Sequence, residues 1–112
     1  MTGKTIIVNS EYFGRGDDTL GTQLMGSFLR KLWASDQKPA RIVFYNSGVK
    51  LLSDGSPVLD ALHGLHDGGV DLIACGTCVT FYELGGKMAI GRVSDMNEIV
   101  IALTTSDAVM SV

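Results

Sequence analysis

The hydrophobic and polar positions of this chain follow two alternating periodicities. Short, nearly continuous apolar runs are typical of strands buried on both faces, and apolar residues three or four positions apart are typical of amphipathic helices. Leu20, Leu24 and Phe28 follow the second pattern and predict a helix over Leu20–Ala34. The predicted strands are Lys4–Asn9, Ala40–Tyr45, Val70–Ala74, Met88–Val93 and Ala108–Val112.

Capping signals predict the other helices. Ser56–Pro57 is typical of an N-cap followed by proline in the first turn, and Gly68–Gly69 ends the helix that follows. Asp95, with Glu98 three residues later, is a capping-box pattern that opens a last helix. A short helix is expected to begin at Thr77.

Strands that alternate with helices predict an α/β fold with three αβα layers and a mostly parallel five-stranded sheet. At 112 residues, the chain is expected to form one domain over residues 1–112. Ligands of such sheets bind beyond the carboxyl ends of the strands. The loops predicted at that edge are Ser10–Thr19, Asn46–Gly55, Cys75–Cys78 and Ser94–Asp95.

Composition excludes several classes of protein. With 46% hydrophobic and 19% charged residues, the chain is far from a disordered composition. A net charge of −3 provides no basic surface for nucleic acid, and no apolar run approaches the about 20 residues that span a membrane. The amino-terminal apolar stretch is too short for a secretory signal. We therefore expect a soluble cytoplasmic protein that binds neither nucleic acid nor membrane.

The only two cysteines lie in Cys75-Gly76-Thr77-Cys78, directly after an apolar run. In a reducing compartment, this spacing is typical of reactive or metal-binding cysteines. As the N-cap of the next helix, Cys75 would accept hydrogen bonds from the N–H groups of Thr77 and Cys78, which favour the thiolate. Cys75 is therefore predicted to be the catalytic nucleophile and Cys78 the resolving thiol. The alternative is two buried, inert cysteines.

Residues of neighbouring loops are candidates for the walls of a thiol pocket. The two cations among them could hold a thiolate or persulfide anion, although simple solvation explains them as well. The polar residues after the second strand are also ordinary turn residues. The pocket candidates are Arg15, Asn46, Ser47, Lys50, Gly76 and Thr77.

A nucleotide site and a zinc site are less well supported. Gly14–Gly16 is similar to a phosphate-binding turn, but a third glycine is missing and Asp17 and Asp18 would repel a phosphate. His63 and His66 lie near the end of a helix that runs away from the cysteines. No cofactor and no bound metal are therefore expected.

Four segments together are familiar: Phe13–Gly21, Phe44–Leu51, Cys75–Cys78 and Gly91–Met96. They resemble the DsrE-like sulfurtransferase domains, and within these the YedF-type proteins of selenium metabolism. The resemblance implies an α/β fold of five main strands, trimers or hexamers, and sulfur relay through Cys75. It also implies sulfur donor and acceptor proteins as partners, among them a carrier of the TusA/SirA kind.

Three functions compete at this point. The first is a sulfur or selenium carrier, or sulfurtransferase, that relays sulfane sulfur as a cysteine persulfide. The second is a CxxC dithiol–disulfide oxidoreductase, although no proline follows Cys78, where thioredoxin-like enzymes place one. The third is a non-catalytic oligomeric binding module, in which the cysteines matter little.

Overall fold

The computed structural model describes residues 3–112 and contains a five-stranded sheet in the order β4-β3-β2-β1-β5, with every neighbouring pair parallel. The predicted α/β fold is therefore confirmed. Within these residues, no helix has both the length and the apolar character required to span a membrane. The strands are β1 (Lys4–Val8), β2 (Arg41–Phe44), β3 (Asp71–Cys75), β4 (Arg92–Ser94) and β5 (Ala108–Ser111). The helices are α1 (Asp18–Ala34), a 3₁₀ helix (Asn46–Leu52), α2 (Leu59–Asp67), α3 (Gly76–Phe81) and α4 (Met96–Thr105).

The three central strands bury both faces of the sheet in two apolar clusters. Because side chains alternate along a strand, Ile42 and Phe44 of β2 enter the larger cluster, whereas Val43 between them enters the smaller one. Residues of α1 and α2 belong to the larger cluster, and Ile99 of α4 belongs to the smaller one. The sheet is thus covered by helices on both faces.

Burial on both faces does not extend to the edge strands. All four residues of β5 are exposed, as are Arg92 and Val93 of β4. Each edge strand has a single neighbour in the sheet, so these apolar runs are less covered than the sequence pattern predicted.

The first helix begins earlier than predicted. Asp17 is its N-cap, and its carboxylate accepts the N–H of Leu20 at 2.8 Å. The last helix begins as predicted, because Asp95 is the N-cap and accepts the N–H of Glu98 at 2.9 Å. The short α3 begins one residue before the predicted Thr77.

Most of the predicted Asn46–Gly55 loop is a 3₁₀ helix. Its apolar residues Val49, Leu51 and Leu52 are buried in the larger cluster. Because these side chains are buried, the segment packs against the sheet although it begins with polar turn residues. Gly48 lies so close to the end of β1 that a side chain there would overlap the carbonyl group of Val8. This contact requires glycine and fixes the position of Asn46 above the sheet edge.

Two other boundaries differ from the prediction. The helix expected to be capped by Ser56 begins at Leu59 instead, and the Ser56 hydroxyl accepts the N–H of Val58 at 3.3 Å in a turn before it. The predicted strand Met88–Val93 is shortened to β4, and Met88 instead forms an antiparallel bridge with Ser53.

An ion-pair cluster joins β3, β4 and α4. The Arg92 guanidinium donates to both carboxylate oxygens of Asp71, at 2.9 and 2.8 Å, and also bonds to Glu98. Ser94 donates to the same Glu98 carboxylate. The Arg92 and Ser94 hydrogen bonds lower the pKa of Glu98 to about 2.

We predict that Gly48→Ala destabilises the protein by about 3 kcal/mol, because the new methyl group must displace the end of β1. Denaturant unfolding measures this loss as a lower midpoint. Gly85→Ala is the matched control, since a Cβ there meets no atom within 4 Å. Equal stability of the two variants would contradict the close contact between the 3₁₀ helix and β1.

The Glu98 cluster makes stability depend on pH in acid. The pKa of Glu98 falls from its ordinary 4.5 to about 2, so its stabilisation is complete above about pH 4.5 and is lost as the pH falls toward about 2. We predict that Glu98→Gln lowers the free energy of unfolding at pH 7 and that the difference from wild type disappears near pH 2. A difference that stays constant over this range would show that the ion pairs do not stabilise the fold.

Candidate functional site

Both cysteines lie at the carboxyl edge of the sheet, as predicted. Cys75 is the last residue of β3, a strand paired on both sides, and is also the N-cap of α3. Cys78 lies one helical turn later in α3. The parallel register that pairs Phe44 with Ala74 brings the residues after β2 to the same place.

Cys75 occupies the predicted N-cap position, but the predicted capping hydrogen bonds to its sulfur are absent and the side chain is buried. Its side chain is only 2% exposed and packs in the smaller apolar cluster with Ile73 and Ile99. The sulfur accepts no capping hydrogen bond from α3. Because Cys75 continues β3 and is two residues from Ile73, it shares the face of Ile73 beneath α4. The sulfur is thus directed into the protein and away from the loop.

Cys78 is the cysteine that reaches the surface. It is partly exposed, and its sulfur accepts a hydrogen bond from the backbone N–H of Asn46 at 3.0 Å. Together with Asn46, Thr77, Phe81 and Tyr82, it lines a cavity of about 390 Å³. A thiol in this position can meet a substrate without unfolding of the core.

Asn46 has a backbone conformation that favours this hydrogen bond. Its φ angle is +51°, in the left-handed region that asparagine tolerates better than most residues. Its side-chain oxygen accepts a hydrogen bond from the Tyr82 hydroxyl at 3.0 Å. Asn46 is therefore held by Tyr82, the residue that follows α3, while its N–H donates to the Cys78 sulfur.

The Lys50 side chain packs over the ring of Tyr82. Its ammonium group lies 4.6 Å from the centre of the Tyr82 ring, a cation–π distance, and 3.4 Å from the carboxylate of Glu11. The backbone N–H of Glu11 donates to the Ser47 hydroxyl at 3.2 Å, which joins the loop after β1 to the 3₁₀ helix. Three chain segments thus meet around Asn46.

The surroundings raise the pKa of the Cys78 thiol. Burial is the main cause, and the Cys75 thiol beside it acts in the same direction. The Asn46 N–H opposes both effects, since a hydrogen bond to sulfur favours the charged form. The protonated form of Cys78 is therefore favoured in the resting protein, with Asn46 as the group that promotes ionisation.

A second and larger cavity, of about 550 Å³, adjoins the first at the same edge of the sheet. Asn46 lines both cavities. Two tyrosines, Tyr12 and Tyr45, and the predicted residues Arg15 and Ser47 also line the larger one. Asn46, whose N–H donates to the Cys78 sulfur, is therefore also part of the wall of this larger cavity.

Most of the predicted pocket residues lie at this edge. Arg15, Asn46 and Ser47 line the larger cavity, and Thr77 lines the smaller one. Lys50 lines neither cavity and acts through Tyr82. Gly76 also lines neither and faces β4, where a Cβ would lie 3.0 Å from the carbonyl oxygen of Ser94.

The sequence analysis missed Tyr82, Phe81 and Tyr12. Tyr82 had a usable signal, since it follows Cys78 by four residues and a helix brings such positions to one face. Phe81 is 76% exposed beside the thiol, which no periodicity predicts. Tyr12 lies in a loop whose path depends on the fold around it.

Two histidines remain away from the site. His66 lies on α2 with its imidazole 3.8 Å from the Asp67 carboxylate, and both side chains are well exposed. His63 lies on the same helix. Across residues 3–112, the His, Cys, Asp and Glu side chains form no group of three or more that could hold a metal ion.

Comparison with known proteins shows the fold. No family model and no curated protein matches the chain. Among solved structures, the ychN protein from E. coli superposes over 100% of both chains with a TM-score of 0.68 at 15% identity. A protein of unknown function from Methanobacterium thermoautotrophicum matches 94% of this chain and 96% of that chain, with a TM-score of 0.65 at 21% identity.

A third structure, a conserved protein of unknown function from Bacteroides thetaiotaomicron, matches 97% of this chain and 94% of that chain. Its TM-score is 0.67 at 14% identity. The DsrE-like fold predicted from the sequence is therefore confirmed through its YchN-like neighbours.

We predict that Tyr82→Phe shifts ionisation of Cys78 to higher pH. Without the hydroxyl, Asn46 loses the contact that holds it, and its N–H favours the thiolate less. The measurement is the rate of Cys78 alkylation against pH, with the modified residue identified by peptide mass spectrometry. Tyr12→Phe is the control and leaves the profile unchanged. If the alkylation profiles of Tyr82→Phe and wild type superimpose, the Tyr82–Asn46 contact does not affect the pKa of Cys78.

Proposed function

We propose that this protein relays sulfane sulfur as a persulfide through its Cys75–Cys78 pair, and that Cys78 is the thiol that receives the sulfur. The observation that carries the proposal is the partly exposed Cys78 sulfur, which accepts the Asn46 N–H within a cavity of about 390 Å³. A reachable thiol with a hydrogen-bond donor on its sulfur is the requirement for this chemistry. The earlier assignment of Cys75 as the receiving thiol is replaced, because that sulfur is buried.

Loading is a transfer between sulfurs. The Cys78 thiol loses its proton, and the thiolate attacks the outer sulfur of a donor persulfide, R–S–SH. The S–S bond of the donor breaks, the donor leaves as RS⁻, and Cys78 becomes Cys78–S–SH. One S–S bond forms as another breaks, so no external oxidant or reductant is required.

Unloading is the same exchange in reverse. An acceptor thiolate attacks the outer sulfur of Cys78–S–SH, and Cys78 leaves as a thiolate. The Cys78 sulfur thus carries the negative charge before loading and regains it on unloading. The Asn46 N–H, 3.0 Å from this atom, is placed to stabilise that charge. The same exchange is open to selenium in place of the transferred sulfur.

A dithiol–disulfide oxidoreductase is the second candidate, because the Cys75 thiol acts directly on the pKa of Cys78 and therefore lies beside it. The Cys75 thiolate can attack the inner sulfur of Cys78–S–SH. A Cys75–Cys78 disulfide then forms and hydrosulfide, HS⁻, leaves with the electron pair of the broken bond. Once this disulfide has formed, Cys78 can accept no further sulfur until a reductant regenerates the two thiols.

A protein that relays sulfur requires partners that donate and accept the sulfur atom. We propose sulfur donor and acceptor proteins, among them a TusA/SirA-like carrier, for a cytoplasmic protein of the YedF type. We also propose a homo-oligomer, a trimer or hexamer. Its support is the exposure of large apolar side chains, for example Val93 and Met96 at 52% and 54%, in a chain that otherwise buries a dense core.

We predict that a sulfane donor adds about 32 Da, the mass of one sulfur atom, to the wild-type protein. The adduct disappears in Cys78→Ser. It persists longer in Cys75→Ser than in wild type, because the thiol that can displace hydrosulfide is missing. Intact mass spectrometry over time measures all three proteins, and peptide mapping locates the adduct.

Two outcomes would overturn the assignment. An adduct of equal yield in Cys78→Ser would place the sulfur elsewhere, and the absence of any adduct on wild type would remove relay altogether. Rapid conversion of wild type to an internal disulfide, with stoichiometric hydrosulfide release, would favour the oxidoreductase.

A further inference from the structure

The larger cavity has no role in the sulfur exchange described above, although it adjoins the thiol. Its volume of about 550 Å³ lies in the range of small-molecule sites, and it shares the lining residue Asn46 with the cavity of Cys78. A molecule seated in the larger cavity and extending past Asn46 would bring one end to the Cys78 sulfur. The cavity is therefore placed to orient a substrate.

The lining of this cavity is polar and mostly neutral. Hydroxyl and amide groups come from the ends of β1 and β2, and Arg15 is the only charged side chain that lines it within residues 3–112. A guanidinium forms paired hydrogen bonds with a carboxylate, and its charge does not depend on pH in the physiological range. The lining thus favours a ligand that carries a carboxylate.

Nearby acidic side chains limit the charge that the ligand can carry. Glu11 is paired with Lys50, and Asp17 accepts the N–H of Leu20. Glu11 and Asp18 also raise the pKa of Tyr12, a residue of the same lining. A ligand with several negative charges is disfavoured on the Tyr12 side, whereas a single carboxylate has Arg15 as its partner.

We propose that the larger cavity binds a low-molecular-weight persulfide through its carboxylate, with Arg15 as the partner, and presents the outer sulfur to Cys78. This inference rests on the proposed sulfur relay and names the class of small-molecule donor that loads it. The transfer is the exchange already balanced above, with R in R–S–SH now a small carboxylate-bearing group. Arg15 acts on binding and orientation and takes no part in bond breaking.

The experiment compares three cysteine-based persulfide donors that differ in charge. Cysteine persulfide carries a carboxylate and an ammonium group, N-acetylcysteine persulfide carries the carboxylate alone, and the methylamide of the latter carries neither. The rate of Cys78 persulfidation is measured against donor concentration for wild type, Arg15→Gln and Arg15→Lys. Lys31→Gln is the matched control, since it removes one positive charge from an exposed position on α1.

We expect the half-saturating concentration of the two carboxylate donors to rise about tenfold in Arg15→Gln, the size of a lost charge-assisted hydrogen bond. The maximal rate should change little. The rate with the uncharged methylamide should be the same in both proteins, and Lys31→Gln should behave as wild type with every donor. Partial recovery in Arg15→Lys would confirm charge as the cause.

Failure of this inference is distinguishable from failure of sulfur relay. If all three donors load Cys78 with equal dependence on concentration, or if Arg15→Gln affects the methylamide as much as the carboxylates, the carboxylate site is wrong and relay stands. If no donor loads Cys78, relay itself is wrong and the inference falls with it.

Discussion

The parallel pairing of β2 with β3 is the constraint on which the site depends. Because Phe44 lies opposite Ala74, the chain leaves both strands at the same level, and Asn46 meets the first turn of α3. The N–H of Asn46 can reach the Cys78 sulfur only from this register. A slip of one residue would move the donor along the strand and turn neighbouring side chains to the opposite face.

The two cysteines differ because one belongs to a strand and the other to a helix. Cys75 follows the alternation of β3 and shares the face of Ile73, so α4 covers it. Cys78, one helical turn later, points back toward the 3₁₀ helix and stays partly exposed. A short sequence motif therefore divides into a buried thiol and an accessible thiol that remain neighbours.

The electrostatic balance at Cys78 is set by packing. Burial and the adjacent thiol favour the neutral form, and a single backbone N–H favours the charged one. That N–H depends on a left-handed asparagine, which Tyr82 holds through its hydroxyl and Lys50 supports through the ring. Reactivity of the thiol is thus linked, through Asn46, to the side chains of Tyr82 and Lys50. The same asparagine lines both the thiol cavity and the larger cavity that Arg15 lines.

The amino-acid sequence by itself determined the α/β fold, the approximate strands, the cap at Asp95 and the edge where chemistry is concentrated, because periodicity and capping are local properties. It did not determine which cysteine is accessible. The strand was expected to end at Ala74, but it continues to Cys75, and this extra residue decides the face of the sheet to which the Cys75 side chain points. Tertiary structure alone decided that α4 buries Cys75, that the loop after β2 folds as a 3₁₀ helix, and that Asn46 and Tyr82 meet. These outcomes depend on contacts between residues distant in the chain, which no local pattern encodes.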